Sequence, residues 1–197
     1  ANEKIADIFK INITTYLLLL SILLCGYFNY LLIISLILII HDLGHIVFLK
    51  LFKIKINNIT ILPFGSIINS DLKLNTESYK IFIISIAGIL FQLILSFIMN
   101  YLNTYGFVND ISINIFNYYN KLIIIFNLFP IVSLDGSKIL KSGVECIFKY
   151  LTTIKIINII SIISLIYLII NDLNNFSIII IIIYLLTKII ENIKNTN

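Results

Sequence analysis

Long apolar runs recur along this chain and restrict the folds open to it. A transmembrane helix needs roughly 17 to 25 mainly apolar residues. The segments that approach this length are about 11–28, 30–49, 81–102, 118–134, 150–170 and 176–193. The composition agrees, because 59% of the residues are hydrophobic, 12% are charged and the mean hydropathy is +1.04, which leaves too little polar surface for a soluble globule. The sequence therefore predicts an all-α membrane protein with six transmembrane helices, built as a single polytopic domain over residues 1–197.

The lysines predict how these helices are oriented. All fourteen basic residues are lysines. With six spans, every lysine except Lys121 falls on the side of the membrane that holds both termini. Cytoplasmic loops carry an excess of basic residues, so both termini are expected in the cytoplasm. The chain has no arginine and no basic cluster with interleaved aromatic residues, so the sequence predicts a lipid bilayer and no nucleic acid as partner.

Two histidines and a carboxylate lie inside the second predicted span, in the sequence HDLGH. In a helix, His41 and His45 are one turn apart on one face, where both imidazoles can reach one metal ion. With Asp42 between them, the pattern is one methylene short of the H-E-x-x-H of zinc proteases, in which the glutamate is the general base. The alternative is a structural pair bonded to nearby carbonyls. Ionisable groups inside a span usually mark function, which favours the metal site.

A zinc site needs a third protein ligand, and Asp135 is the strongest candidate. It lies in the sequence NLFPIVSLDG, in an apolar segment that Pro130 breaks and Gly136 loosens. Such a break frees backbone groups that must be satisfied by protein or by a water-filled cavity. The alternative is that Asp135 caps a helix that starts near Ser137. The residues alone favour a ligand role for Asp135 only slightly over a capping role.

These two segments together resemble the signatures of the site-2 protease family of intramembrane metalloproteases. The family patterns are H-E-x-x-H and N-x-x-P-x-x-x-L-D-G, and the sequence LPFG at residues 62–65 adds a likeness to the family's sporulation members. The resemblance implies a Zn²⁺ cofactor held by His41, His45 and Asp135. It also implies that Asp42 occupies the general-base position, that Asn127 places the substrate or stabilises the oxyanion, and that Pro130 shapes the broken helix.

The segment after the second span has the alternation of a short interfacial β-hairpin or re-entrant loop. Isoleucines at 54, 56, 59 and 61 alternate with polar residues, and Asn57–Asn58 are the predicted turn. In the resembling family this region lines the substrate path, which implies such a role for Pro63, Phe64 and Gly65. An unwound substrate can be held there as an added strand. A hairpin that only anchors lysines at the headgroups fits equally well.

The resemblance also implies a substrate and a setting. It points to cleavage of a membrane-associated pro-sigma factor during sporulation, in the membrane around the forespore, with inhibitory membrane proteins as further partners. Many sporulation relatives carry a C-terminal regulatory domain, which is not expected in residues 1–197.

Two other functions remain open. Because Asp42 is shorter than glutamate and a misplacement of about 1 Å can cost on the order of a hundredfold in rate, the chain could be an impaired enzyme or a pseudoprotease that binds substrate without turnover. A metal transporter can also use His and Asp ligands at a broken helix. A transporter is expected to show repeated halves, and the histidine motif has no second copy.

Overall fold

The computed structural model describes residues 9–11, 15, 26–62, 65–71, 77–172 and 176–194. Its elements in chain order are β1 (Phe9–Ile11), α1 (Phe28–Leu51), β2 (Ile56–Leu62), β3 (Gly65–Ser70), α2 (Ser78–Thr104), α3 (Asp110–Leu128), α4 (Asp135–Glu145), α5 (Tyr150–Asp172) and α6 (Phe176–Lys194). Among the described residues, α1, α2 and Tyr150–Ile170 of α5 are long and apolar enough to cross a membrane. The predicted first span, 11–28, lies mainly outside the described residues.

The chain divides into two compact units. The first unit consists of Ala1–Thr76 with Ala87–Leu122, and the second consists of Glu77–Ile86 with Ile123–Asn197. Helices α2 and α3 each contribute residues to both units. The predicted spans 30–49, 81–102, 150–170 and 176–193 fall within α1, α2, α5 and α6.

Helix α1 of the first unit has a buried face and an exposed face. Residues three or four apart share a face of a helix. The buried positions are Ile37, His41, Gly44, His45 and Leu49. The exposed positions carry large apolar side chains, among them Phe28, Leu32, Leu36, Leu43 and Val47. An exposed apolar stripe along a whole helix is expected where lipid covers it, whereas soluble monomers rarely show one. The histidines therefore lie on the face that protein covers.

A three-stranded sheet follows α1 in the same unit. Its strand order is β1-β2-β3, with β1 parallel to β2 and β2 antiparallel to β3. The predicted hairpin is present, but the predicted turn at Asn57–Asn58 is wrong, because both residues lie within β2 and the last pair of the hairpin is Leu62 with Gly65. A bulge between Ile56 and Asn58 adds a residue to β2 without ending the strand.

The predicted fourth span, 118–134, is not a single helix. Helix α3 ends at Leu128 and α4 begins at Asp135. Pro130 lacks an N–H and disfavours helical backbone at the residue before it. Residues 129–134, the α3–α4 connection, instead form short-range backbone hydrogen bonds, from Phe129 to Phe126, from Ile131 to Phe129 and from Leu134 to Ile131.

The core of the second unit surrounds this connection. Its buried members come from the connection and from α5 and α6, and they are Ile131, Leu134, Leu165, Ile182, Leu185 and Ile189. Ile131 is fully buried. Burial of apolar side chains on both sides of Ser133 holds the connection against the two helices and so fixes the start of α4.

Candidate metal centre

His41 and His45 direct the same ring nitrogen toward each other. Both side chains are buried, and their Nε2 atoms lie 3.1 Å apart. The two rings are nearly perpendicular, at 84°. Two nitrogens that each lie 2.0–2.1 Å from a tetrahedral zinc ion are about 3.3 Å from each other. The pair therefore has the spacing of two adjacent zinc ligands, as the helical interval predicts.

Two glycines allow the helix α2 to approach this pair. A Cβ atom on Gly44 of α1 would lie 2.5 Å from the carbonyl oxygen of Ala87. A Cβ atom on Gly88 of α2 would lie 2.7 Å from His41 Cε1 and 2.7 Å from His45 Nε2. A Cβ atom at position 44 would push the two helix backbones apart, whereas one at position 88 would displace the two imidazole rings.

Helix α2 also supplies a polar partner to the pair. His41 Nδ1 lies 3.0 Å from Oε1 of Gln92, whose side chain is fully buried. Gln92 was not among the predicted site residues. The signal that could have identified it is a glutamine in an otherwise apolar span, four residues after Gly88, since buried polar groups in a membrane are costly and face a partner.

Asp42, the predicted general base, is half-buried on α1 between the two histidines in sequence. Asn127, the predicted oxyanion residue, is half-buried near the end of α3, where its Nδ2 donates a hydrogen bond to the Ile123 carbonyl at 3.0 Å. The catalytic roles of both residues stay predictions.

Asp135 is the first residue of α4 and is buried. The N-cap residue is Leu134, whose side chain makes no cap hydrogen bond, so α4 begins two residues before the start near Ser137 that the capping alternative assumes. Lys138 pairs with Asp135, with 2.9 Å between Nζ and Oδ1. A carboxylate in the first turn also interacts favourably with the helix dipole.

The predicted substrate-path residues are described only in part. Pro63 and Phe64 lie outside the described residues, and Gly65 begins β3. Pro130 follows α3, and its carbonyl oxygen lies 3.1 Å from the hydroxyl of Ser161 on α5.

The residue types of the three predicted ligands suit zinc. Two imidazoles and one carboxylate leave a fourth tetrahedral position open, as catalytic zinc sites require. Within the described part of the chain, the first compact unit supplies the buried imidazoles of His41 and His45, and the second unit supplies the buried carboxylate of Asp135. The residues present therefore fit the metal that the sequence resemblance implies.

Comparisons with known proteins agree with this chemistry. Residues 29–109 match the family model described as Peptidase family M50. Stage IV sporulation protein FB of Bacillus subtilis (strain 168) is 33% identical over 141 residues, which cover 71% of this chain and 49% of that protein. The chain thus spans about half the length of this curated relative.

A solved structure has a similar fold. It is described as Site-2 Protease from Methanocaldococcus jannaschii, and it matches with a TM-score of 0.70 and 23% sequence identity. The match covers 93% of this chain and 89% of that chain. At this identity the likeness concerns the fold.

Proposed function

This chain belongs to peptidase family M50, the site-2 protease family, and we propose that it is an intramembrane zinc metalloendopeptidase with His41, His45 and Asp135 as its metal ligands. The observation that carries the proposal is the buried histidine pair, whose Nε2 atoms lie 3.1 Å apart on a helix apolar enough to cross a membrane. Two neutral imidazoles in an apolar setting are strong zinc ligands.

The metal ion, Asp42 and Asn127 would have different roles in catalysis. A bound zinc ion would act as a Lewis acid on the peptide carbonyl and lower the pKa of water. Asp42 would accept the proton from the attacking water and return it to the leaving amine. One N–H of the Asn127 amide is engaged by Ile123, and the amide has a second N–H that can donate to the developing oxyanion.

The sheet offers a place for the substrate backbone. A helical substrate hides its scissile amide in its own hydrogen bonds and must unwind before cleavage. Strand β3 lies at an edge of the three-stranded sheet, and an edge strand can pair with an added extended segment. The proposed path runs along Pro63, Phe64 and Gly65, with Pro130 shaping the α3–α4 connection.

A membrane-associated pro-sigma factor is the proposed substrate, and inhibitory membrane proteins are proposed as further partners. The support is the 33% identity to a protein named for a stage of sporulation. Both termini would face the cytoplasm, since the lysines favour that orientation. The sporulation relative is the support for placing the chain in the membrane around the forespore.

The alternative is a form that binds substrate without turnover. The feature that favours it is the length of Asp42, whose carboxylate is one methylene shorter than the glutamate of the family signature. A carboxylate set back by about 1 Å can lower the rate on the order of a hundredfold. The ligands and the fold would be the same in both cases, so zinc content does not separate them, and cleavage does.

Cleavage of a co-expressed pro-sigma factor, read as a size shift on a gel, tests the proposal. The chain is compared with Asp42→Glu, His41→Ala and the control Leu43→Ala, which changes an exposed residue of the same helix. If the unchanged chain and the control give product and His41→Ala gives none, the result supports a protease in which Asp42 is the general base. Product only from Asp42→Glu supports the impaired form. Equal product with His41→Ala would contradict the metal site, and no product from any variant would contradict this substrate.

A further inference from the structure

We propose that Gln92 of α2 is a positioning residue that fixes the proton on His41, with Asn120 of α3 completing a buried polar chain behind it. The inference rests on the proposed zinc site, because it concerns which nitrogen of His41 is free to bind the ion. All of its residues belong to the first of the two compact units.

The contact between Gln92 and His41 sets the tautomer of the imidazole. Gln92 Oε1 lies 3.0 Å from His41 Nδ1. An amide oxygen only accepts hydrogen bonds, so the hydrogen of the neutral ring is on Nδ1 and the lone pair is on Nε2. Nε2 is also the atom that lies 3.1 Å from His45 Nε2. The proton position and the direction of the ring therefore agree on Nε2 as the metal-binding atom.

The reverse orientation of the amide would have the opposite effect. With Nε2 of Gln92 facing the ring, His41 Nδ1 would accept and the hydrogen would move to Nε2 of the ring. An imidazole nitrogen that carries a hydrogen has no lone pair for a metal. The orientation of one buried amide thus decides whether His41 is ready to bind zinc.

Asn120 of α3 lies beside Gln92 in the same buried polar group. Asn120 Nδ2 lies 3.4 Å from the backbone oxygen of Gln92, and both side chains are buried. Among the described residues, Gln92 Nε2 and Asn120 Oδ1 are buried without a hydrogen-bond partner. One is a donor and the other an acceptor, and burying either alone is costly.

The spacing along α2 supports a shared task. Gly88 and Gln92 are four residues apart and therefore lie on one face of the helix. Gly88 provides the space that the two imidazoles occupy, and Gln92 provides the hydrogen bond that orients one of them. Outer partners that orient a metal-binding histidine in this way typically change metal affinity 10–100-fold when they are lost.

The first test is zinc affinity, measured on the full chain in detergent by competition with a chromophoric chelator. Gln92→Leu keeps similar volume and removes the acceptor, and we expect it to weaken zinc binding about 10–100-fold. Gln92→Glu keeps an acceptor facing Nδ1, and we expect it to retain the affinity of the unchanged chain. Gln92→Leu with unchanged affinity, or Gln92→Glu as weak as Gln92→Leu, would overturn the proposal.

A second readout measures the proton position on the unchanged chain and uses one variant only to assign the signals. The chain has two histidines, so ¹⁵N NMR of the histidine-labelled, zinc-free protein at mildly alkaline pH gives few signals. His41→Ala assigns them. We expect the protonated nitrogen of His41 to be Nδ1, and a protonated Nε2 would overturn the proposal.

The zinc site and the role of Gln92 can be disproved separately. If the unchanged chain binds no zinc, or if His41→Ala binds zinc as tightly, the proposed metal site is wrong. If zinc binding requires His41 but is unaffected by Gln92→Leu, the metal site stands and the role of Gln92 is wrong.

Discussion

The histidine helix α1 and the α3–α4 connection both position a proposed zinc ligand, but they fix its place by different means. Helix α1 is an uninterrupted run of 24 residues, and its own geometry places His41 and His45 one turn apart. Residues 129–134 have no repeating geometry that could do the same for Asp135. Their backbone is held by side chains and carbonyls that are distant in the sequence, so the second region depends on its tertiary neighbours far more than the first.

Ser161 of α5 shows how the connection is held. Its hydroxyl oxygen accepts a hydrogen bond from the Val132 N–H at 3.0 Å and lies 3.1 Å from the Pro130 carbonyl oxygen. Between Val132 and Leu134, Ser133 has a φ of 87°, a conformation that non-glycine residues rarely adopt. A strained residue persists when its surroundings determine its backbone. Ser161 and the buried Ile131 supply those surroundings.

Gly136→Ala is expected to have the largest effect. A Cβ atom there would collide with the Leu128 carbonyl oxygen, so the backbone itself must move. We expect a loss of stability above about 3 kcal/mol, at the upper end of overpacking effects, measured by thermal unfolding in detergent. The control is Gly143→Ala in the same helix, where a Cβ atom would meet nothing within 4 Å and helix propensity predicts a gain of up to about 1 kcal/mol. Equal stability of the two variants would contradict the close approach at Leu128.

Gly88→Ala is expected to act on the metal instead of the fold. The neighbours of its Cβ atom are the imidazole rings of His41 and His45, which can rotate away. We expect zinc affinity to fall about tenfold or more, with a much smaller loss of stability than for Gly136→Ala. The control is Leu90→Ala, at an exposed position of the same helix. Zinc affinity equal to that of the control would show that the rings do not occupy the space above Gly88.

Ser161→Ala is expected to cost about 1–3 kcal/mol, because it leaves the half-buried Val132 N–H without its acceptor. The matched control is Ser142→Ala, whose hydroxyl donates to the Ile139 carbonyl of its own helix at 2.7 Å and whose loss is expected to cost much less. Both are measured by thermal unfolding. Similar losses for the two serines would mean that the connection does not need α5, and the contrast with α1 would disappear.

Lys138→Ala is expected to have the smallest effect. Lys138 pairs with Asp135, but its own side chain is 49% exposed, and ion pairs with an exposed member contribute roughly 0–1 kcal/mol. Unfolding at low and high salt measures the change, with Lys188→Ala as control for the exposed pair with Glu191. A loss well above 1 kcal/mol for Lys138→Ala alone would mean that this ion pair, together with Ser161, holds the start of α4.

Much of the helical fold could be predicted from apolar runs, because a helix satisfies its own backbone wherever the solvent is apolar. The predicted positions of α1, α2, α5 and α6 needed nothing more. In the predicted segment 118–134 the helix ends at Leu128, just before Pro130, the residue that the sequence analysis named as the break. The turn at Asn57–Asn58 was wrong because a bulge kept the strand going, and Asn58 instead accepts a hydrogen bond from Asn69 across the hairpin.

The histidine pair followed from the sequence because its geometry is local. Two residues four apart in one helix face the same way whatever surrounds them, and the Asp and Asn signatures followed from the family resemblance. Gln92 and Ser161 did not follow from it. The hydrogen bond between His41 and Gln92 spans 51 residues, and the one from the Val132 N–H to Ser161 spans 29. No interval along the chain encodes such contacts.

The amino-acid sequence was therefore sufficient for the membrane setting, the family and the spacing of the two histidines, which all depend on short-range periodicity and composition. The folded structure was needed to show that Gly88 makes room for both rings, that Gln92 faces Nδ1 of His41, and that Gly136 and Ser161 hold the start of α4. These are packing relations between segments far apart in the chain, and they exist only once close-packed helices bring those segments into contact.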